Sequence, residues 1–149
     1  MHRDADHDIS RINFAIRSDP FEVRQALMNL GAIWDEWNVA PDMRSNAEIA
    51  VGEALNNVVE HAHANRSDGK IEMEQAFCDD GLKVEIRDNG APMPNEAVPN
   101  PSLASTEVAL QELPEGGFGW FLIHQVTQDL QYKRKEGWNY LAFRIPCPT

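Results

Sequence analysis

The chain has 149 residues, the length of one domain with or without a short tail, and can bury roughly 68–70% of its unfolded surface without help from disulfides or metals. Its 24 Asp and Glu against 13 Lys and Arg leave a formal charge of −11, which argues against direct nucleic-acid binding and against anionic membrane surfaces. Two cysteines, Cys78 and Cys147, form neither a disulfide framework nor a metal knuckle.

Residues 1–8 are polar and acidic and read as a flexible start. They lack the apolar core of a secretory signal, and nowhere does an apolar run reach the roughly 18 residues of a membrane span. A cytoplasmic protein with reduced thiols is expected. Residues 9–149 are expected to form one domain.

Ile12, Phe14 and Ile16 alternate with the period of a strand. Ser18-Asp19-Pro20 is a helix start. Val23, Ala26, Leu27, Leu30, Ile33, Trp34 and Trp37 then follow at helical spacing. Pro41 opens a second helix, predicted to run to about residue 64, whose apolar stripe is Ala47, Ala50, Val51, Ala54, Leu55, Val58, Val59 and Ala62. Strands are predicted over 70–78 and 82–87, joined through Asp79-Asp80-Gly81. Residues 88–116 hold five of the nine prolines, with one short helical patch near 103–111. A connection of that length is usually functional. A helix over 117–130 and a hairpin of 131–135 and 139–145 through Glu136-Gly137 complete the chain. The order β-α-α-β-β-loop-α-β-β implies an α+β sandwich, with helices on one face of a mixed, mostly antiparallel sheet.

Three segments carry chemistry. In the second helix Glu53, Asn57 and His61 are spaced i, i+4, i+8 and stack on one stripe at the rim of the apolar arc. Asp88-Asn89-Gly90-Ala91-Pro92 follows a strand directly. A carboxylate there can accept a hydrogen bond from a ligand, and glycine lets the backbone come close. Asp88-Asn89-Gly90 is also strong turn chemistry. Glu115-Gly116-Gly117-Phe118-Gly119 runs into an apolar helix, where unpaired amides and the helix dipole favour an anion. Neither GxGxxG nor GxxxxGK[ST] is present. His61 and His63 fall on different helix faces, so zinc is not expected.

In order and spacing these segments resemble the boxes of the histidine-kinase-like ATPases. Glu53-x-x-x-Asn57 is similar to the N box, Asp88-x-Gly90-x-Pro92 to the first glycine box, and Gly117-Phe118-Gly119 to the second. Glu-Ala-x-x-Asn-x-x-x-His-Ala is the style of the bacterial anti-sigma serine kinases of partner-switching modules. The resemblance implies a two-layer Bergerat-type ATP-binding fold using ATP and Mg²⁺. It implies that Asp88 accepts the adenine amino group and that Gly90 and Pro92 shape the base pocket. Asn57 would ligate Mg²⁺, and His61 would line the pocket. Gly116, Gly117, Phe118 and Gly119 would border the phosphates under a lid of residues 93–115, and Glu53 would be the general base. The implied activity is phosphorylation of an anti-sigma factor antagonist by a kinase that also binds a sigma factor and dimerises. A non-catalytic, nucleotide-gated binding module is the alternative.

Two departures stand out. Gly137-Trp138-Asn139 occupies the place where relatives often have Gly-x-Thr, and no basic residue lies between Arg87 and Lys133, which leaves Arg66 or a partner to clamp the γ-phosphate.

Overall fold

The computed structural model describes residues 10–64, 66, 68–99 and 117–148. In strand β1 (Ser10–Arg17), Ile12, Phe14 and Ile16 turn inward as their spacing predicts. Helix α1 (Pro20–Glu36) starts where Asp19 caps it, the carboxylate accepting from the Phe21 N–H at 3.0 Å, with Pro20 in the first turn. Helix α2 (Pro41–Asn57) buries Ala47, Ala50, Val51, Ala54 and Leu55 at 0–1% exposure. Three small residues on that stripe let neighbouring helices approach its backbone closely.

The α-helical hydrogen-bond pattern of α2 ends earlier than predicted. Residues Val58–Ala62 form a π turn, closed by the His63 N–H to the Val58 carbonyl at 3.0 Å. Such turns insert one extra residue per turn and frequently occur at functional sites. The apolar spacing gives no sign of it, because Val58 and Val59 stay buried on either reading.

Strands β2 (Lys70–Cys78) and β3 (Gly81–Asp88) form the predicted hairpin. Gly81 sits at φ +127°, and a Cβ there would lie 2.3 Å from the Ile145 carbonyl oxygen, so the turn needs glycine. Helix α3 (Gly117–Val126), β4 (Gln128–Lys135) and β5 (Trp138–Ile145) follow. The predicted helix to residue 130 is thus four residues too long. Thr127 bonds back to the Ile123 carbonyl at 2.8 Å, and Asp129 has φ +59°, which a helix cannot contain. The predicted helical patch at 103–111 lies outside the described residues.

The sheet order is β1-β2-β3-β5-β4. All pairings among the described strands are antiparallel, so the expected mixed component is absent. One face carries Ile71, Met73, Val84, Ile86, Leu141 and Phe143 and is covered by the helices. The opposite face is polar, with Arg87 held by Glu72, Glu74 and Glu85 at 2.8–3.5 Å. The architecture is the α+β sandwich that the element order implied. Trp34 is fully buried, and its indole N–H donates to the buried Gln75 amide oxygen at 2.9 Å, so the polar atom in the core is satisfied.

Candidate functional site

The three segments singled out from sequence meet along one flank of α2. In its last turns, Glu53 and Asn57 face the start of α3, which packs principally on α2. A Cβ built on Gly119 would lie 2.6 Å from Glu53 Oε1 and 3.8 Å from Asn57 Nδ2. Only glycine leaves this gap open, so the acid, the amide and the glycine line one crevice. The Asn57 amide nitrogen is buried there without a hydrogen-bond partner among the described residues. A buried amide left unpaired costs roughly 1–3 kcal/mol. Its O and N are interchangeable by rotation, so the group can turn its oxygen to a ligand.

The other end of the same flank is the π turn. The Ala62 carbonyl accepts from the Ala91 N–H at 2.8 Å, and a Cβ on Gly90 would lie 2.4 Å from that oxygen. The loop after β3 therefore lies flat against the end of the helix. Glu53 and Ala62 are nine residues apart, about 13 Å along a helix, comparable to the reach of an extended nucleoside triphosphate from base to terminal phosphate.

Asp88 is the last residue of β3 and is 4% exposed. Its Oδ1 accepts from the Gly90 N–H at 2.8 Å, an Asx turn, and from the Asn139 amide at 2.9 Å. Asn139 stands directly opposite Asp88 on β5 and is also 4% exposed. Its amide nitrogen gives a second bond to the Ala91 carbonyl at 2.8 Å. Its oxygen accepts from Tyr132 Oη at 2.5 Å and from Arg134 at 3.0 Å, and Arg134 also reaches the Gly90 carbonyl at 2.6 Å. Asn139 is thus saturated by the protein, and among the described residues both hydrogen bonds to Asp88 fall on Oδ1. A ligand donor is left with Oδ2.

Burial pushes the Asp88 carboxyl above its ordinary value, opposed by the hydrogen bonds from Asn139 and Gly90 and by the nearby His63 and Arg134. A raised folded-state value means that this carboxyl favours folding most below the ordinary aspartate range. That contribution is lost as pH rises through the raised value.

The remaining predicted residues fall as follows. Pro92 is exposed after the turn. Gly117 lies at the start of α3, and Phe118 follows it in the helix backbone. Gly116 lies outside the described residues, as does most of the predicted lid. Its described beginning, residues 93–99, is pinned by the Met93 N–H to Tyr132 Oη at 3.1 Å. His61, placed by its spacing on the stripe of Glu53 and Asn57, lies within the π turn. It is exposed, 3.8 Å from the Glu60 carboxylate. The buried histidine is His63, at 2% exposure. Arg66 is exposed beside Asp68 at 3.5 Å. Sequence reasoning missed Tyr132 and Arg134 as parts of the site, and met Asn139 only as a departure from the relatives' Gly-x-Thr. The signal that joins all three to the site is the register of the last hairpin, which brings position 139 opposite 88.

Among the described residues no cluster of three or more His, Cys, Asp or Glu could hold a metal by itself. Magnesium needs no such cluster, because it keeps water and phosphate ligands and takes few protein oxygens. The unpaired Asn57 amide in a glycine-walled crevice beside a carboxylate fits that requirement.

Comparison with known proteins places this geometry in context. The histidine kinase-like ATPase domain profile matches residues 16–145. A serine-protein kinase RsbW from Oceanobacillus iheyensis is 25% identical, over 85% of this chain and 80% of that protein. The serine/threonine-protein kinase BtrW of Bordetella bronchiseptica is 30% identical, over 74% of this chain and 75% of that one. The crystal structure of the RsbU and RsbW domains of Rv1364c from Mycobacterium tuberculosis shares the fold, with a TM-score of 0.64 and 14% identity, covering 94% of this chain. This chain spans about a third, 34%, of that longer one.

Proposed function

This chain belongs to the histidine kinase-like ATPase domain family, with named serine-protein kinases among its relatives, and on that premise we propose that it is an ATP-dependent serine/threonine kinase of a partner-switching module. Its substrate is an anti-sigma factor antagonist protein, and the same chain holds a sigma factor. The observation that carries the reading is the continuous flank from Asp88 through Gly90 and Ala62 to Asn57, Glu53 and Gly119, in which two glycines are each backed by an atom that a side chain would strike.

In this reading Asp88 Oδ2 accepts the exocyclic amino group of adenine, with the carboxylate aimed by Asn139 and the Gly90 amide. Pro92 closes the turn that carries the pocket, and His61 stands at its open rim. The triphosphate extends along α2 toward the start of α3, where the backbone around Gly116, Gly117, Phe118 and Gly119 binds its oxygens. Asn57 holds Mg²⁺ through its amide oxygen. The bound ion supplies charge neutralisation on the phosphate oxygens. Glu53 accepts the proton of the attacking serine or threonine hydroxyl, while the surrounding residues fix the hydroxyl in line with the terminal phosphate.

The charge of −11 suits a basic partner surface. Residues 9–149 act as the kinase unit, in the cytoplasm. No helix among the described residues is long and apolar enough to cross a membrane. Two copies associate through β1, an edge strand of the sheet. Between β1 and α1 lies a groove of about 390 Å³ whose lining includes Ile12, Phe14, Leu30 and Ile33.

Asp88→Asn tests the base contact. Asparagine keeps an oxygen for the Gly90 and Asn139 donors but presents an amide where adenine needs an acceptor. Calorimetry is expected to give roughly 10- to 100-fold weaker ATP binding, the scale of a lost charged hydrogen bond. The ligand-free variant is expected to melt higher than wild type at pH 7, because it removes a desolvated charge. The difference should shrink as pH falls toward about 4, where an ordinary aspartate protonates. Unchanged ATP affinity would remove Asp88 from the base pocket.

A further inference from the structure

We infer that His63 is a positioning residue for the nucleotide, holding the base-binding turn against the end of α2 through Asn89. The inference rests on the nucleotide reading above and concerns a residue outside the three sequence boxes. His63 follows the π turn and is 2% exposed. Its Nε2 lies 2.9 Å from Asn89 Oδ1, and the same oxygen accepts from the Lys70 N–H at 2.9 Å. The backbone N–H fixes that atom of Asn89 as the oxygen, because an amide nitrogen there would set donor against donor. The ring nitrogen must therefore donate, and the proton sits on Nε2.

The two bonds to this one oxygen join three segments. Asn89 lies between Asp88 and Gly90, Lys70 begins β2, and His63 is continuous with the helix carrying Glu53 and Asn57. The adjacent Ala62 carbonyl holds Ala91 on the other side of the turn. The turn is thus tied to the helix end by a side-chain donor and a backbone acceptor from consecutive residues. Room for the ring is made by Gly69, where a Cβ would lie 2.4 Å from it. The Gly69 carbonyl in turn receives the Ser18 N–H at 2.9 Å. His63 Nδ1 is buried with no partner among the described residues, so Nε2 alone carries the link. The π turn matters here, because in a regular helix the bond closing at Val58 would be absent and His63 would face elsewhere.

Atom position separates a positioning role from a merely space-filling one. The side-chain nitrogen of glutamine reaches about as far as histidine Nε2, whereas that of asparagine stops near Nδ1. His63→Asn is expected to weaken ATP binding by roughly tenfold, about 1.4 kcal/mol. Single-turnover phosphotransfer at saturating ATP should stay within about twofold of wild type. His63→Gln should restore wild-type affinity. Asn89→Ala, at an exposed position, should reproduce the His63→Asn weakening and covers the case in which His63→Asn fails to fold. In ¹⁵N-labelled wild-type protein, a slowly exchanging ring N–H signal of His63 should be assigned to Nε2. Equal affinities for the Gln and Asn variants, wild-type affinity for Asn89→Ala, or a ring proton on Nδ1 alone would each overturn the inference. If wild-type protein binds no ATP, the nucleotide reading fails instead, and the ring signal still decides whether the link to Asn89 exists.

Discussion

Glu53→Gln is expected to bind ATP within about threefold of wild type and to transfer phosphate roughly 10²–10⁴ times more slowly, the usual contribution of a positioned general base. The two effects separate because the carboxylate faces the start of α3, whereas the base is held at the far end of the flank by Asp88. Glutamine keeps the volume against Gly119 and removes only the proton acceptor. The measurement is transfer from γ-labelled ATP to a cognate antagonist protein in a single turnover, beside calorimetry of ATP. Loss of both binding and transfer would mean that Glu53 organises the crevice rather than accepting a proton. Normal transfer by the variant would mean that another group is the base. Wild-type protein that binds ATP and labels no antagonist would favour a nucleotide-gated binding module.

Gly119→Ala should be almost as damaging for a different reason. Gly119 is inside a helix, where alanine is favoured over glycine by roughly 0.5–1 kcal/mol. The substitution is therefore expected to leave the melting temperature unchanged or slightly raised. The new Cβ would nevertheless lie 2.6 Å from Glu53 Oε1. The carboxylate is the end of a flexible side chain, so it swings away, and the crevice that should receive the phosphates narrows. A misplacement of about 1 Å at reacting groups can cost 10²-fold in rate. Phosphotransfer is expected to fall by about that factor or more, with weaker ATP binding. A variant that is stable and fully active would show that the space beside Glu53 is not used. Stability and activity moving in opposite directions is the signature expected of a glycine kept for room rather than for conformation.

Much of the fold was legible because polarity repeats with different periods in strands and helices. Ile12, Phe14 and Ile16 face inward as alternation requires, and the buried stripe of α2 is the one its spacing gives. Glu53, Asn57, Asp88, Gly90 and Gly119 were each visible as residue types suited to a site. What brings them together, α3 lying on α2 and the turn after β3 lying on Ala62, is tertiary packing, which no local pattern records.

The misreadings have local causes. Val58, Val59 and Ala62 continue the apolar stripe whether hydrogen bonds run i to i+4 or i to i+5, so the π turn was hidden. Nor does spacing tell that His63 is buried and His61 exposed. Val126 and Leu130 keep helical spacing across a stretch where Asp129 has positive φ and the sheet register shifts between Gln128 and Gln131. Asn139 stood out from sequence only as a departure from the relatives' threonine, which left its contact in doubt. Its pairing opposite Asp88 explains how an amide can serve there: it aims the carboxylate and is itself fully bonded by Tyr132, Arg134 and Ala91.

A crystal structure of the protein with Mg²⁺ and a non-hydrolysable ATP analogue would examine the whole flank at once. The account predicts the adenine amino group about 3 Å from Asp88 Oδ2, with the phosphates beside Gly119 and within reach of Asn57. An analogue bound with its base away from Asp88, or its phosphates away from the Glu53–Asn57 crevice, would contradict it.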